Sequence, residues 1–229
     1  MKRFSVPEFL DSDAGTTCEV RTALTDLQRI NRWFGGTATT LAMLERVLDC
    51  TNKHDLSFLE VASGTAEVPE IAAGTASRRG IVLRTFRVDR AASHLTNGSR
   101  KAHDAIVADA LHLPFADRSI DLVSCGLFAH HLDPQQLMRF GKEALRVARV
   151  ALLVNDLVRN PAHWAAAWIG RPLWRSRLTR HDSVVSVRSS YTPGELRSLL
   201  QQAGAAEVEI SRHYFFRMGA IVWSTPATS

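Results

Sequence analysis

The chain of 229 residues is 45% hydrophobic and 22% charged, with a formal net charge of +5. This suits one well-buried α/β domain and excludes a membrane-spanning helix, since no apolar run approaches the roughly 20 residues required. The opening MKRFSVPEFLDSDAG lacks the apolar stretch of a secretory signal, and Cys18, Cys50 and Cys125 form neither a metal pattern nor a disulfide framework, so the expected compartment is the cytoplasm.

Residues 1–20 carry Pro7 and a DSDAGTT turn cluster and are expected to be loosely ordered. Val20, Leu24, Leu27, Ile30 and Phe34 then recur at helical spacing, and Gly35-Gly36 ends that helix. A second helix opens at Thr37, with Leu41, Leu44, Val47 and Leu48 on one face. LSFLEVA, from Leu56, reads as a buried strand that runs into the turn Ser63-Gly64-Thr65-Ala66 and a helix over Glu67–Ser77. Ile81–Val88 is a second strand ending at Asp89, followed by a short helix over Ala91–Lys101. Ala105–Ala108 is the third strand, ending at Asp109, and Ile120–Cys125 the fourth. Asp133 and Pro134 suit the cap and first residue of a helix that runs to about Val147. Ala148–Leu157 is the fifth strand. Strands alternating with helices predict a parallel, doubly wound sheet. Asn160–Leu178, with Trp164, Trp168 and Trp174, reads as an inserted helical segment, and Thr179–Ser183 as a polar loop. Thr192-Pro193-Gly194-Glu195 is a capping box that starts a helix to Ala203. Val208–His213 and Phe215–Trp223 read as closing strands.

The charge excess is local. Six arginines (Arg159, Arg171, Arg175, Arg177, Arg180 and Arg188) stand against the single acid Asp182 between Arg159 and Ser190. Such a block suits nucleic acid, an acidic substrate or an anionic surface. It equally suits a solvated helix face whose arginine stems pack on apolar surface.

The first strand's turn is the strongest ligand signal. Small residues there let backbone approach a ligand, and the next helix aims free N–H groups at it. A dinucleotide fingerprint requires G-x-G-x-x-G, and this turn has one glycine. The alternative, acid-x-Gly-x-Gly-x-Gly, is the pattern of class I S-adenosylmethionine-dependent methyltransferases. Here it reads Glu60-Val61-Ala62-Ser63-Gly64-Thr65-Ala66, in which the acid and the central glycine match and the outer glycines are alanines. Asp109-Ala110-Leu111-His112-Leu113-Pro114-Phe115, followed by Ile120-Asp121-Leu122-Val123, resembles the D-A-x-x-L-P-F…F-D-L-V run of that family. His130-His131-Leu132 resembles the L-H-H-L of its ubiquinone- and menaquinone-biosynthesis type. The Pro-Gly-Gly usual before strand five is absent.

The resemblance implies a Rossmann-like doubly wound sheet of seven strands, mostly parallel with an antiparallel last strand. It divides the chain into an N-terminal helical cap (1–54), a cofactor-binding core (55–157), a helical acceptor-side insert (158–191), and a C-terminal helix with closing strands (192–229). S-adenosylmethionine is the implied cofactor and S-adenosylhomocysteine its product. Glu60, Ala62 and Gly64 would border the methionine part. Asp89 would hold the ribose, Asp109 and Ala110 the adenine, and Leu127 would approach the methyl region. Either alanine is strained if its backbone takes positive φ. His131, ahead of His130, and His181 are the candidate bases. Arg32, Trp164, Trp168 and Arg180 are candidates for acceptor contact, and no metal ligand set is expected. The implied activity is methyl transfer to a small aromatic, quinone-like or polyketide-like acceptor. A non-catalytic S-adenosylmethionine-binding domain and an RNA methyltransferase are the competing classes, although no nucleic-acid partner is expected.

Overall fold

A computed structural model of the chain describes residues 1–4, 6–10, 15–64, 67–96 and 105–224. Ala66, Thr65 and the far part of the helix expected over Ala91–Lys101 lie outside these. The elements run α1 (Thr17–Trp33), α2 (Gly36–Asp49), β1 (Asp55–Val61), α3 (Glu67–Ser77), β2 (Val82–Asp89), α4 (Ala92–Thr96), β3 (Ala105–Val107), β4 (Ile120–Gly126), α5 (Pro134–Val147), β5 (Ala148–Leu157), α6 (Pro161–Gly170), α7 (Arg177–Ser189), α8 (Pro193–Gln202), β6 (Glu207–His213) and β7 (Arg217–Trp223).

The seven strands form one sheet in the order β3-β2-β1-β4-β5-β7-β6, with β7 antiparallel to both of its neighbours. Strand order reverses between β1 and β4, so the crevice for a ligand opens beyond the carboxyl ends of those strands. Side-chain alternation sorts the core onto two faces. Leu59 and Val61 of β1, with Leu152 and Val154 of β5, pack towards α5 and α8. Leu56 and Phe58, with Ala151 and Leu153, pack towards α2 and α3. Ile120 sits on the same side as Val123 and Cys125 because the β4–β5 register shifts between Ile120 and Leu122.

Local chemistry fixes the helix starts. Thr16, Asp133 and Thr192 each form a complete capping box, and each cap is worth about 1 kcal/mol. The expected loop at Thr179–Ser183 is instead the middle of α7, which starts from the Ser176 cap. The first ten residues also depart from expectation. They form a strap docked on α7 and on the 3-10 turn Ala129–His131. Arg3 donates to the carbonyls of Ser189, His130 and Leu132 and lies over the Tyr191 ring. The Phe9 and Leu10 N–H groups donate to the two oxygens of Asp182. A polar, proline-bearing segment has no core of its own, and these long-range bonds supply the order.

Candidate active site

The turn after β1 is held from β2. The Ser63 N–H donates to the Val88 carbonyl at 3.1 Å, and the Gly64 N–H to Asp89 Oδ2 at 3.0 Å. Ala62 and Gly64 both take positive φ, 54° and 50°. Glycine does so freely, whereas an alanine there costs roughly 1–2 kcal/mol. A Cβ built on Gly64 meets nothing within 4 Å, so the space above the turn is open. Asp89 Oδ1 accepts from the Ala91 N–H at 3.0 Å and lies 3.4 Å from His94 Nδ1. Burial works to raise the Asp89 carboxyl, but His94 and the two N–H donors overcome it and hold it below the usual range. Asp109 is exposed and accepts from the Leu111 N–H at 2.9 Å, which lowers its carboxyl in turn. Leu127, the first residue past β4, has φ 53° and donates its N–H to the Asn155 carbonyl. Glu60 is buried, with Oε2 unpaired, and burial pushes its carboxyl up to about 7.

Glu60, Ala62, Gly64, Asp89, Asp109, Ala110, Leu127 and His131 all border one cavity of about 950 Å³. Beyond His131 the cavity continues between the strap, α1, α7 and the β6–β7 hairpin, where Leu24, Leu27, Phe34, Trp174, Val187 and Phe215 line it.

A buried polar chain stands in the cavity wall, to which Glu8, His130 and His131 all belong. His130 Nδ1 lies 2.6 Å from Asp156 Oδ1, its N–H donates to Asp156 Oδ2, and its Nε2 lies 3.3 Å from Glu8 Oε1. Burial opposes a charge on His130, but Asp156 and Glu8 on its two sides lift it to about 10. Burial likewise works against the Glu8 carboxylate. His131, His130 and the Ser186 hydroxyl overcome it and hold Glu8 at about 2. His131 reaches Glu8 Oε2 at 4.0 Å and is one-fifth exposed. The ligand atoms of Glu8, His130 and His131 lie within 4.8 Å of one another. Carboxylates face both ring nitrogens of His130 and favour its protonated form, which competes with a metal for those nitrogens.

The remaining candidates lie outside the cavity lining. His181 stacks on Phe9 at 4.0 Å and points Nδ1 to Asp182. Arg32 is exposed and pairs with Glu67. Trp168 is exposed, Trp164 is half-buried, and Arg180 donates to the Trp174 carbonyl from the surface. Sequence reasoning missed Glu8, Phe215 and Arg217 as wall residues. Only Asp156, at the end of a strand and near a histidine pair, left a legible signal.

Comparison with known proteins agrees with this geometry. Residues 59–151 match the family model described as "Methyltransferase domain". Over this segment the chain resembles a methyltransferase domain. No curated protein matches the chain. Among solved structures, the methyltransferase fold aligns with an S-adenosylmethionine-dependent methyltransferase from Aquifex aeolicus at 15% identity and a TM-score of 0.58, over 86% of this chain and 98% of that one. It aligns with magnesium protoporphyrin IX methyltransferase from Synechocystis, solved with S-adenosylhomocysteine, at 13% identity and a TM-score of 0.60, over 83% and 84%. It also aligns with the citrinin polyketide synthase CMeT domain at 12% identity and a TM-score of 0.58, over 80% of this chain and half of that one.

A methyltransferase domain of this class takes its methyl group from S-adenosylmethionine, and the residues present fit that molecule. The open cradle over Gly64 admits a close ligand. Asp89 is an ionised, acceptor-only group at the end of the second strand. The unpaired Oε2 of Glu60 offers a buried acceptor to a cation.

Proposed function

We propose that the chain methylates a small, largely apolar acceptor held in the outer chamber of this cavity. The observation that carries the reading is the continuity of one cavity from the Gly64 cradle, past His131, to the Leu24–Phe34–Trp174 wall. S-adenosylmethionine, when bound, supplies an electrophilic methyl group on a sulfonium. The chain's residues do the rest. Asp89 and Glu60 hold the cofactor end, and Asp109 and Ala110 border its rim. The strap, Trp174 and the Phe215–Phe216 hairpin tip exclude water and orient the acceptor, an effect worth ~7–11 kcal/mol in well-oriented reactions. His131, the less buried histidine of the pair, accepts the proton of an acceptor hydroxyl, and Glu8 stabilises the imidazolium that results.

Magnesium protoporphyrin IX and a polyketide figure in the names of two structural neighbours, and both support a small-molecule acceptor. The arginine block supports it as well. Arg159 pairs with Glu195, Arg177 with Glu19, Arg180 with the Trp174 carbonyl, and Arg188 lies over Phe4, so most of the block is engaged within the chain.

The test is incubation with methyl-labelled S-adenosylmethionine and a panel of phenolic, quinone-like and polyketide-like acceptors. Label in the extracted small molecules is the expected result. Failure to bind S-adenosylhomocysteine sinks the reading at its first step, and label in RNA alone would move the activity to a nucleic-acid acceptor.

A further inference from the structure

One row of side chains crosses the sheet on its α2–α3 face, just inside the cavity. Glu60 of β1 is the register partner of Ser124 on β4. Gly126, two residues along β4, is the partner of Asn155 on β5. Asn155 in turn pairs with Gly219 of β7, two residues from Arg217, which pairs with Leu157. Two-residue alternation puts Glu60, Ser124, Asn155 and Arg217 on the same face as Phe58, Leu122, Leu153 and Ile221. All four are buried; Ser124 faces Glu60 and works to lower its carboxyl, and among the described residues Glu60 Oε2, Asn155 Oδ1 and Nε and Nη1 of Arg217 have no hydrogen-bond partner. Glu60, Asn155 and Arg217 line the cavity.

Arg217 is the costliest member of the row. It is 1% exposed, and burial lowers its guanidinium to about 10. Among the described residues its guanidinium makes one hydrogen bond, from Nη2 to Asn31 Oδ1 at 3.3 Å. Asp156 is the acid whose field reaches it, but Asp156 spends its oxygens on the N–H and Nδ1 of His130 and on the Leu157 N–H. His163, the other titratable group nearby, has its proton affinity lowered by burial first and then by the Arg217 charge. A buried cation without a paired anion is strongly unfavourable, and a charge-assisted hydrogen bond from a guanidinium N–H to a carboxylate relieves it.

We infer that Arg217 is a carboxylate-binding residue of this pocket, one of its unpartnered donors, Nε–H or Nη1–H, donating to a ligand carboxylate. Two sources present that group, the amino-acid end of the cofactor and an acidic acceptor. The inference rests on the cavity being the methyltransferase's ligand pocket, as proposed above, and its test is separable from that reading.

Titration calorimetry of the wild-type chain with S-adenosylhomocysteine and with its decarboxylated analogue comes first. With S-adenosylhomocysteine saturating, thermal shifts by salicylate and salicylamide follow. Arg217→Lys and Arg217→Gln are then measured with the same four probes. If the cofactor supplies the carboxylate, the decarboxylated analogue binds the wild type at least tenfold more weakly than S-adenosylhomocysteine. Arg217→Gln then loses that difference and Arg217→Lys recovers part of it. If the acceptor supplies it, S-adenosylhomocysteine affinity is unchanged in both variants, and salicylate stabilises the wild type but not Arg217→Gln. The inference is overturned if the wild type binds both cofactor analogues equally and salicylate no better than salicylamide. That comparison needs no variant to fold. Equal weakening of both cofactor analogues in Arg217→Gln would also overturn it, as damage to the fold. Absence of S-adenosylhomocysteine binding to the wild type is the separate failure of the methyltransferase reading.

Discussion

The carboxylate of Asp156 grips His130 twice, at the ring nitrogen Nδ1 and at the backbone N–H. The strand that ends at Leu157 thereby fixes the turn after β4, and it fixes with it the position of His131, the next residue. The order of this wall of the cavity descends from this contact.

The same contact gives the fold a pH signature. His130 has a folded-state affinity for protons lifted to about 10 from an ordinary 6.5. Its contribution is complete below pH 6.5 and disappears as pH rises through 10. Glu8, held at about 2 against an ordinary 4.5, contributes above pH 4.5 and loses its contribution as pH falls through 2. Melting temperature followed from pH 5 to 11 should therefore fall at the alkaline end in the wild type. His130→Asn should start lower and fall less over the same range. Parallel curves would contradict the ion-pair assignment.

His131→Ala should lower turnover of a hydroxyl acceptor by about 10²-fold or more, the usual scale of general base catalysis, with S-adenosylhomocysteine affinity retained. Glu8→Gln should show a smaller loss and a shifted pH–rate profile. Unchanged turnover in His131→Ala would move the proton acceptor elsewhere.

Asp89→Ala should weaken S-adenosylhomocysteine much more than Asp117→Ala. Asp89 holds the Gly64 turn and faces the cavity, and each charge-assisted hydrogen bond is worth ~1.5–3 kcal/mol. Asp117 is a surface partner of Arg146. Calorimetric affinities for the two variants decide it, and equal values would refute the assignment of Asp89.

The tryptophans of the insert should separate by burial. Trp174 is buried and meets Phe34 edge-on, so Trp174→Ala should cost about 3–5 kcal/mol of stability and disturb acceptor use. Trp168→Ala should leave melting temperature and cofactor affinity nearly unchanged, since Trp168 is exposed. Denaturant unfolding of the pair is the check.

Glu60 should release a proton when the ammonium of S-adenosylhomocysteine arrives. Burial holds Glu60 at about 7 in the free chain, so near neutrality a fraction of it is protonated. A nearby cation favours the carboxylate. Binding enthalpy measured near pH 7 in buffers of different ionisation enthalpy should show proton release, and Glu60→Gln should abolish it.

What could be read from the sequence was what local chemistry decides. The β1 turn, the Asp133 cap, the Thr192 capping box and the acids at the ends of β1, β2 and β3 are short-range signals, and they lie where the pattern puts them. Ala62 shows the cost of departing from the pattern, since its backbone does take positive φ. The other half of the cavity was hidden because long-range docking builds it. Glu8 belongs to a segment without periodicity, and Ser186, its hydroxyl donor, is 178 residues away. His181 fell in a polar, arginine-rich stretch with little apolar periodicity, so the Ser176 cap passed unread and α7 was taken for a loop. The start of β7 was obscured too. Phe215 and Phe216 suggest a strand, yet both take positive φ in the hairpin without the glycine or asparagine that marks such turns.

The docked strap also sets an order of assembly. Residues 6–10 are synthesised long before α7, and until α7 has formed Glu8 lacks the Ser186 hydroxyl and the Phe9 and Leu10 N–H groups lack the Asp182 carboxylate. This stretch is thus among the last to complete its contacts, so a nascent chain would carry Glu8 without its Ser186 hydroxyl donor until α7 leaves the ribosome.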